Sequence, residues 1–200
     1  MTNDKTTRLD AHARRAQLLD TARTVFGQHG FSATSMNAIA KAAGVTKPVL
    51  YQHFASKHDL FLELLVETTE DLESRLRETI TSGTSPRNQV ERGVSTYVSF
   101  FAENPHRFRV MYGEGVRTHA VFSERLHRVQ SSFYEFTAAQ FADTALDHAH
   151  RLTVAHAIMG ALEHAVGQWM HSEQQLDDSE LTATLSSVLW RGLRADPSGS

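Results

Sequence analysis

Several side chains between residues 35 and 57 can hydrogen-bond to nucleic acid. Lys47 carries an ammonium group that can donate to guanine O6 and N7 in the major groove of DNA. Val49, two positions later, can contact a thymine methyl group, and Asn37 can reach a base edge or a phosphate. These residue types are suited to direct readout of base sequence.

Three further side chains in this segment suit contacts with the phosphate backbone. Tyr51 and His53 can donate hydrogen bonds to phosphate oxygens, and Lys57 joins its charge to the positive end of a helix dipole. The alternative for Tyr51 and His53 is packing against a preceding helix. For Lys57 the alternative is a solvated charge at a helix end.

The elements that must position these side chains are two short helices joined by a glycine turn. We expect one helix from about Ser35 to Ala43 and another from Thr46 to about His53, with Gly44 between them. Pro48 falls in the first turn of the second helix, where its missing N–H costs little. Ala40 is small where the helices cross, and an apolar seam joins them: Ile39, Ala43, Val45 and Leu50. The pattern predicts a helix-turn-helix.

The charge distribution supports a polyanionic partner for this segment. The net charge of the chain is only −3. Residues 1–57 carry eight Lys or Arg against three Asp, which is 8 − 3 = +5, whereas residues 58–200 carry 12 Arg against 20 carboxylates, which is −8. All four lysines lie in the first part. A basic segment at residues 1–57, followed by an acidic remainder, predicts that residues 1–57 contact nucleic acid.

Apolar periodicity predicts helices along the whole chain, with no convincing strand. Nine helical segments are expected, at about 11–29, 35–43, 46–53, 57–81, 85–103, 105–112, 118–142, 146–171 and 179–194. We expect Gly30 to end the first helix with Phe31 packing back on it, and Ala195 to Ser200 to form a frayed tail.

At residues about 11–65 the sequence resembles the DNA-binding domain of the tetracycline-repressor (TetR) family of bacterial regulators. The resemblance rests on Phe26, Gly30-Phe31, Thr34, Ile39-Ala40, Ala43-Gly44-Val45, Leu50 to Phe54, Ser56-Lys57 and Leu60. It implies base contacts from Asn37, Lys47, Pro48 and Val49. It also implies phosphate contacts from Ser35, Thr46, Tyr51, His53 and Lys57. The family usually has threonine where Ser35 stands, and the hydroxyl is retained.

The resemblance implies the rest of the architecture. We expect an all-α, nine-helix TetR-like fold with a helix-turn-helix DNA-binding domain at 1–57 and an effector-binding and dimerisation domain at 58–200. The implied function is a one-component regulator that binds a palindromic operator as a homodimer and leaves it when a small effector binds. A repressor is favoured. An activator stays open as the alternative, because the position of the operator decides between the two.

Aromatic side chains are concentrated in the second domain, where 13 of the 17 lie after residue 57. Ordinary core packing explains many of them, but the set favours an apolar effector cavity. The candidate lining residues are Phe101, Phe108, Met111, Phe122, Phe136 and Trp169. A weaker resemblance to actinobacterial acyl-CoA-responsive regulators of lipid synthesis implies an acyl-CoA or fatty acid. Arg107, Arg109 or Arg117 would then meet the polar head.

Long apolar faces on the helices at about 146–171 and 179–194 favour a homodimer. One face runs through Val154, Ile158, Leu162, Val166 and Trp169, and the other through Leu181, Leu185, Val188, Leu189 and Leu193. The resemblance implies a four-helix bundle between two copies, which fits an isologous interface. Packing within one subunit is the alternative.

Other functions find less support in the sequence. The 12 histidines leave a metal- or pH-responsive DNA-binding regulator as the alternative, but no pair has i, i+4 spacing and there is no cysteine. We find no catalytic motif, and expect no enzyme, no bound metal and no cofactor. A non-specific architectural DNA binder would not need the aromatic-rich second domain.

The apolar stretch 152–170 contains His156, Glu163 and His164, so no membrane span is expected. The polar N-terminus favours the cytoplasm.

Overall fold

The computed structural model describes residues 4–171 and 176–194, with side chains described for 11–171 and 176–193. Every regular element in these ranges is an α-helix. The helices are α1 Asp4–Ala33, α2 Met36–Ala42, α3 Lys47–His53, α4 Lys57–Thr81, α5 Pro86–Glu103, α6 His106–Tyr112, α7 Glu114–Thr118, α8 Ala120–Ala139, α9 His148–His171 and α10 Asp178–Arg194. The all-α, nine-helix TetR-like architecture is confirmed, with the five-residue helix α7 in addition to the nine expected segments.

The first helix differs from its prediction at both ends. It begins seven residues earlier than expected, at Asp4, and helical backbone resumes after Gly30 as far as Ala33. Gly30 itself has φ +79° and ψ 170°, so the helix is kinked where the sequence predicted its end. Phe31 packs back as expected, with its ring 6.0 Å from that of Phe26. The predicted tail 195–200 lies outside the described residues.

Local side-chain caps explain where several helices begin. Ser35 Oγ accepts a hydrogen bond from the Ala38 amide at the start of α2, and Ser56 Oγ accepts one from the Asp59 amide at the start of α4. Ser85 caps α5 and is followed by Pro86. Each hydroxyl satisfies an amide that the helix itself leaves without an acceptor. The breaks that punctuate the sequence therefore fix the helix boundaries.

The chain forms two compact units. The first contains Met1–Thr69 and His106–His127, and the second contains Glu70–Pro105 and Arg128–Ser200. In the first unit α6 packs so closely on α1 that a Cβ on Gly27 would lie 2.3 Å from His106 Cβ. The unit that holds the helix-turn-helix thus also takes in the first part of α4 and the helices α6 and α7. The functional division at residue 57 stays a prediction.

Each unit has an aromatic core. In the first, Phe26, Phe31, Phe61 and Phe122 are all at most 3% exposed, and the Phe61 and Phe122 ring centroids are 4.7 Å apart. In the second, Tyr97, Phe100 and Phe101 on α5 are at most 1% exposed. Burial of such large rings is the main source of stability in helical domains. No helix in the described parts of the chain is long and apolar enough to cross a membrane.

Candidate nucleic-acid interface

The turn between α2 and α3 has the hydrogen bonds of a Schellman motif. The Gly44 amide donates to the Lys41 carbonyl over 3.2 Å, and the Val45 amide donates to the Ala40 carbonyl over 3.0 Å. Gly44 has φ +67°, a conformation that glycine adopts without the strain that a Cβ would cause. The glycine therefore sets the angle at which the chain enters α3.

Helix α3 is held against the unit by one fully buried side chain, and most of its other residues are exposed. Leu50 is fully buried, and Pro48 lies in the first turn, as expected. Thr46 occupies the N-cap position with extended backbone, but its hydroxyl makes no capping hydrogen bond. The Thr46 hydroxyl is therefore free to bond to a phosphate at this helix end.

The nine predicted DNA-contacting residues lie on α2, on α3 and at the helix starts that flank them. Six are exposed, namely Ser35, Asn37, Thr46, Lys47, Pro48 and Tyr51. Three are half-buried, namely Val49, His53 and Lys57. Lys47 Nζ lies 5.6 Å from the centroid of the Tyr51 ring, so the two side chains share one turn of the outer face of α3. Their roles in contacting DNA stay predictions.

Lys57 has an architectural role that its position in the sequence did not reveal. Its Nζ atom donates to the carbonyl oxygens of Phe31 and Thr34, each over 2.9 Å. These carbonyls lie where α1 ends and the chain turns into α2. Lys57 thus ties the start of α4 to the helix-turn-helix, which leaves one of its three N–H donors for a phosphate.

Some of the basic side chains of residues 1–57 bond to carboxylates and do not contribute to the predicted interface. Arg15 forms a two-pronged ion pair with Glu63 on α4, with Nη2 2.6 Å from Oε2. Arg23 bonds to Asp20 and, over 3.2 Å, to Glu67. These two arginines therefore join α1 to α4. Lys41 and Lys47 remain exposed on the helix-turn-helix itself.

Sequence reasoning also missed the polar contacts from α6 and α7 to α1. Arg109 Nη1 donates to the carbonyls of Gly27 and Gln28 over 2.8 and 2.9 Å. Glu114 accepts a hydrogen bond from the Ser32 hydroxyl, which holds the pKa of that carboxyl below its ordinary value. Both pairs are more than 80 residues apart in sequence, so no local spacing could have indicated them.

The six predicted effector-lining residues are divided between the two units. In the first unit, Met111 and Phe122 are fully buried and Phe108 is half-buried against Tyr112. Phe122 belongs to the aromatic core there, with its ring 5.0 Å from that of Phe31. These contacts give the three residues a packing role, and their role in binding an effector stays a prediction.

In the second unit, the other three predicted residues differ in burial. Phe101 is fully buried beside Tyr97. Phe136 is half-buried, with the Arg77 guanidinium 4.6 Å from its ring centroid. Trp169 is half-buried and donates from Nε1 to the Leu176 carbonyl over 2.8 Å. Of these, Phe136 and Trp169 offer accessible aromatic surface.

A buried carboxyl group on α4 also lies in the second unit. Glu73 is 9% exposed, and its Oε1 atom makes no hydrogen bond. Burial raises the pKa of Glu73 to about 7, although the nearby Arg77 opposes the shift and Glu70 adds to it. Burial likewise raises the pKa of Glu163 on α9. Within the described ranges, no three His, Asp or Glu side chains converge as metal ligands would.

Comparisons with known proteins agree with this geometry. The profile of the bacterial regulatory proteins, tetR family, matches residues 18–64, which span the second half of α1, the helix-turn-helix and the start of α4. The transcriptional activator FasR of Mycolicibacterium smegmatis is 27% identical over 199 residues, which cover 98% of this chain and 90% of FasR. The transcriptional regulator UidR of Escherichia coli K12 is 30% identical over 134 residues, or 67% of each chain.

Solved structures share the fold over nearly the whole length. The fatty acid degradation regulator FadR of Bacillus halodurans superposes with a TM-score of 0.78, at 21% identity, over 90% of this chain and 99% of its own. FadR of Bacillus subtilis, solved in complex with stearoyl-CoA, has a TM-score of 0.76 at 19% identity, over 87% and 96% of the two chains. The helix-turn-helix geometry, the family profile and these relatives together show that the chain is a DNA-binding transcriptional regulator of the TetR family.

Proposed function

We propose that the protein binds a palindromic operator in the cytoplasm as a homodimer, represses transcription there, and is released by a small hydrophobic effector. The observation that carries the first step is the exposed outer face of α3. Lys47 and Pro48 face solvent at its start and Tyr51 one turn later, and Leu50 anchors the opposite side in the core. A helix held in this way can enter the major groove with its N-terminal residues first.

The operator sequence can be identified by selection from random duplex DNA. Repeated rounds of binding and recovery, followed by footprinting of the selected fragments, should return a short inverted repeat. Because each subunit supplies one α3, the half-site centres should lie one helical turn or more apart. A single direct site, or equal affinity for all duplexes, contradicts the dimeric operator.

The dimer is proposed on α9 and α10. Val188 on α10 lies on the apolar face assigned to the interface, and it is 63% exposed. Burying it against a second copy removes this surface from water. Val121 on α8 is 61% exposed and provides a matched control. Val188→Asp should yield monomers in analytical ultracentrifugation and abolish operator binding, whereas Val121→Asp should leave both unchanged. A dimeric Val188→Asp protein contradicts this interface.

The effector is proposed to be apolar, with an acyl-CoA or a fatty acid as the first candidate. The accessible rings of Phe136 and Trp169 support an apolar ligand, and the Arg77 guanidinium over Phe136 could meet a polar head. Titration of the protein–operator complex with stearoyl-CoA and with palmitate should lower operator affinity, because the effector binds the DNA-incompetent state more tightly. Phe136→Leu should weaken this response, whereas Val121→Ala should not. Unchanged operator affinity with both compounds contradicts an acyl effector.

A further inference from the structure

A polar groove in the second unit lies between α5 and α10. It encloses about 990 Å³, within the range of small-molecule sites. One wall is a stripe on α5 with a residue every turn, at positions 87, 91, 95 and 99. The other wall is α10, from Asp178 to Arg191. None of the six predicted effector-lining residues lines this groove, so it is separate from the proposed effector site.

The groove contains a buried hydroxyl group with no partner. Ser186 lines the groove but is only 7% exposed, and its Oγ atom makes no hydrogen bond. In the described residues three other buried side-chain polar atoms also lack partners, and they belong to Arg23, Glu73 and Thr137, none of which lines the groove. The Oγ atom itself has almost no accessible surface, so a ligand in the groove reaches the hydroxyl once the Ser186 side chain turns to another rotamer.

The charges of the groove balance. Arg87 forms an ion pair with Glu91 over 2.8 Å, and Arg191 and Asp178 add one charge of each sign. With two cations and two carboxylates, the lining of the groove has no net positive charge to attract a phosphorylated ligand. The absence of aliphatic side chains larger than alanine from its lining also disfavours an acyl chain. The ligand that fits is therefore uncharged and polar.

The remaining lining groups indicate which uncharged ligand. Hydroxyl groups dominate the walls, at Ser95, Ser99, Ser179, Thr182, Ser186 and Ser187. A hydroxyl both donates and accepts, so such walls match a ligand that carries many hydroxyls of its own. The indole of Trp190 adds one flat apolar surface, suited to the C–H face of a sugar ring. We infer that this groove binds an uncharged polyhydroxylated molecule of the size of a mono- or disaccharide, as a second ligand site beyond the proposed effector site.

The side of α10 that lines the groove differs from the side that exposes Val188. Val188, the exposed residue of the proposed interface, is two positions from Ser186, which is about 200° around the helix. The groove and the exposed apolar side of α10 therefore face different directions.

Tryptophan fluorescence provides a direct binding test, because the chain has only two tryptophans. A Trp169→Phe background leaves Trp190 as the single reporter. Titration with glucose, trehalose and sorbitol should give a saturable change with at least one of them, whereas glucose 6-phosphate should give none. If none of the three neutral compounds saturates the signal in the millimolar range, the inference is wrong.

Two residues on one helix provide a matched pair of variants. Thr182 lines the groove, whereas Thr184 is exposed on α10 and does not. Thr182→Ala and Ser186→Ala should each weaken sugar binding about tenfold, which corresponds to one good hydrogen bond. Thr184→Ala should bind as the parent does. Equal affinities in all three variants contradict the assignment, even if a sugar binds elsewhere.

The stability of Ser186→Ala separates ligand binding from a structural effect. Because the variant removes an unpaired hydroxyl, its melting temperature should equal or exceed that of the parent while its sugar affinity falls. A lower melting temperature would indicate that Ser186 supports the fold, and Thr182→Ala then decides the assignment. These readouts involve no DNA, so they can fail or succeed independently of the proposed operator and effector.

Discussion

The ammonium group of Lys57 donates a hydrogen bond to the backbone carbonyl of Phe31 over 2.9 Å and lies 4.3 Å from the centroid of the same residue's ring. One side chain therefore satisfies a carbonyl near the end of α1 and also makes a cation–π contact with the aromatic core. Because the next turn of chain leads into α2, this contact fixes the start of the helix-turn-helix relative to α4.

Replacing Lys57 by methionine should therefore affect both stability and DNA binding. Loss of two charge-assisted hydrogen bonds from a half-buried ammonium should lower the free energy of unfolding by about 1–2 kcal/mol in urea titrations. Loss of the charge should weaken binding to all DNA sequences alike and reduce the slope of log affinity against log salt by about 1. Lower stability with an unchanged salt slope would leave Lys57 a purely structural residue.

Lys47→Ala should instead relax base preference. Lys47 is exposed at the start of α3, where a base contact is worth about 1–3 kcal/mol of discrimination. Affinity for the selected operator should fall by that amount, with a much smaller loss on scrambled DNA. Fluorescence anisotropy at several salt concentrations measures both, and Lys41→Ala on α2 is the control for loss of one exposed positive charge. Equal losses of affinity for the selected operator and for scrambled DNA would contradict a base-reading role for Lys47.

Local sequence signals were sufficient to predict the helix-turn-helix. Gly44, Pro48 and the caps at Ser35 and Ser56 act within a few residues, so their effects can be deduced from spacing. Leu18, Ala22 and Phe26 recur at helical spacing in the sequence, and all three are buried on one face of α1. The extension of α1 to Asp4 was missed, because residues 4–10 carry no apolar stripe.

Contacts between distant parts of the chain could not be predicted in this way. The bonds from Arg109 to Gly27 and from Glu114 to Ser32 depend on how α6 and α7 pack on α1. Aromatic composition also gave no sign that Phe122 packs with Phe31 and Phe61 in the first unit. A ring can be useful in a core or in a cavity, and only the fold decides between them.

Gly27→Ala should strongly destabilise the first unit. Its Cβ would lie 2.3 Å from His106 Cβ, and neither atom can move without shifting a helix backbone. Overpacking of this kind costs about 1–3 kcal/mol or more. Gly160→Ala on α9 is the matched control, because nothing lies within 4 Å of its added Cβ. That variant should gain about 0.5–1 kcal/mol of helix propensity. Thermal unfolding compares the Gly27→Ala and Gly160→Ala variants. Similar melting temperatures for the two would contradict the close approach of α1 and α6.

The buried carboxyl group of Glu73 should make stability fall as pH rises toward neutrality. Its folded pKa of about 7 exceeds the ordinary value of 4.5, so the folded state binds the proton more tightly than the unfolded state. The resulting penalty is absent below pH 4.5, grows between pH 4.5 and 7, and is complete above pH 7. A difference of this size corresponds to at most about 3 kcal/mol.

Glu73→Gln should remove this dependence, because glutamine keeps the shape and the hydrogen-bonding capacity of the neutral acid. The variant should be more stable than the parent at pH 8, by up to about 3 kcal/mol, and nearly equal to it at pH 4.5. Glu70→Gln, one turn earlier on α4 and exposed, is the control and should leave most of the slope intact. Urea unfolding across this pH range measures both. Parallel pH profiles for the parent and Glu73→Gln would show that Glu73 ionises normally in the folded protein.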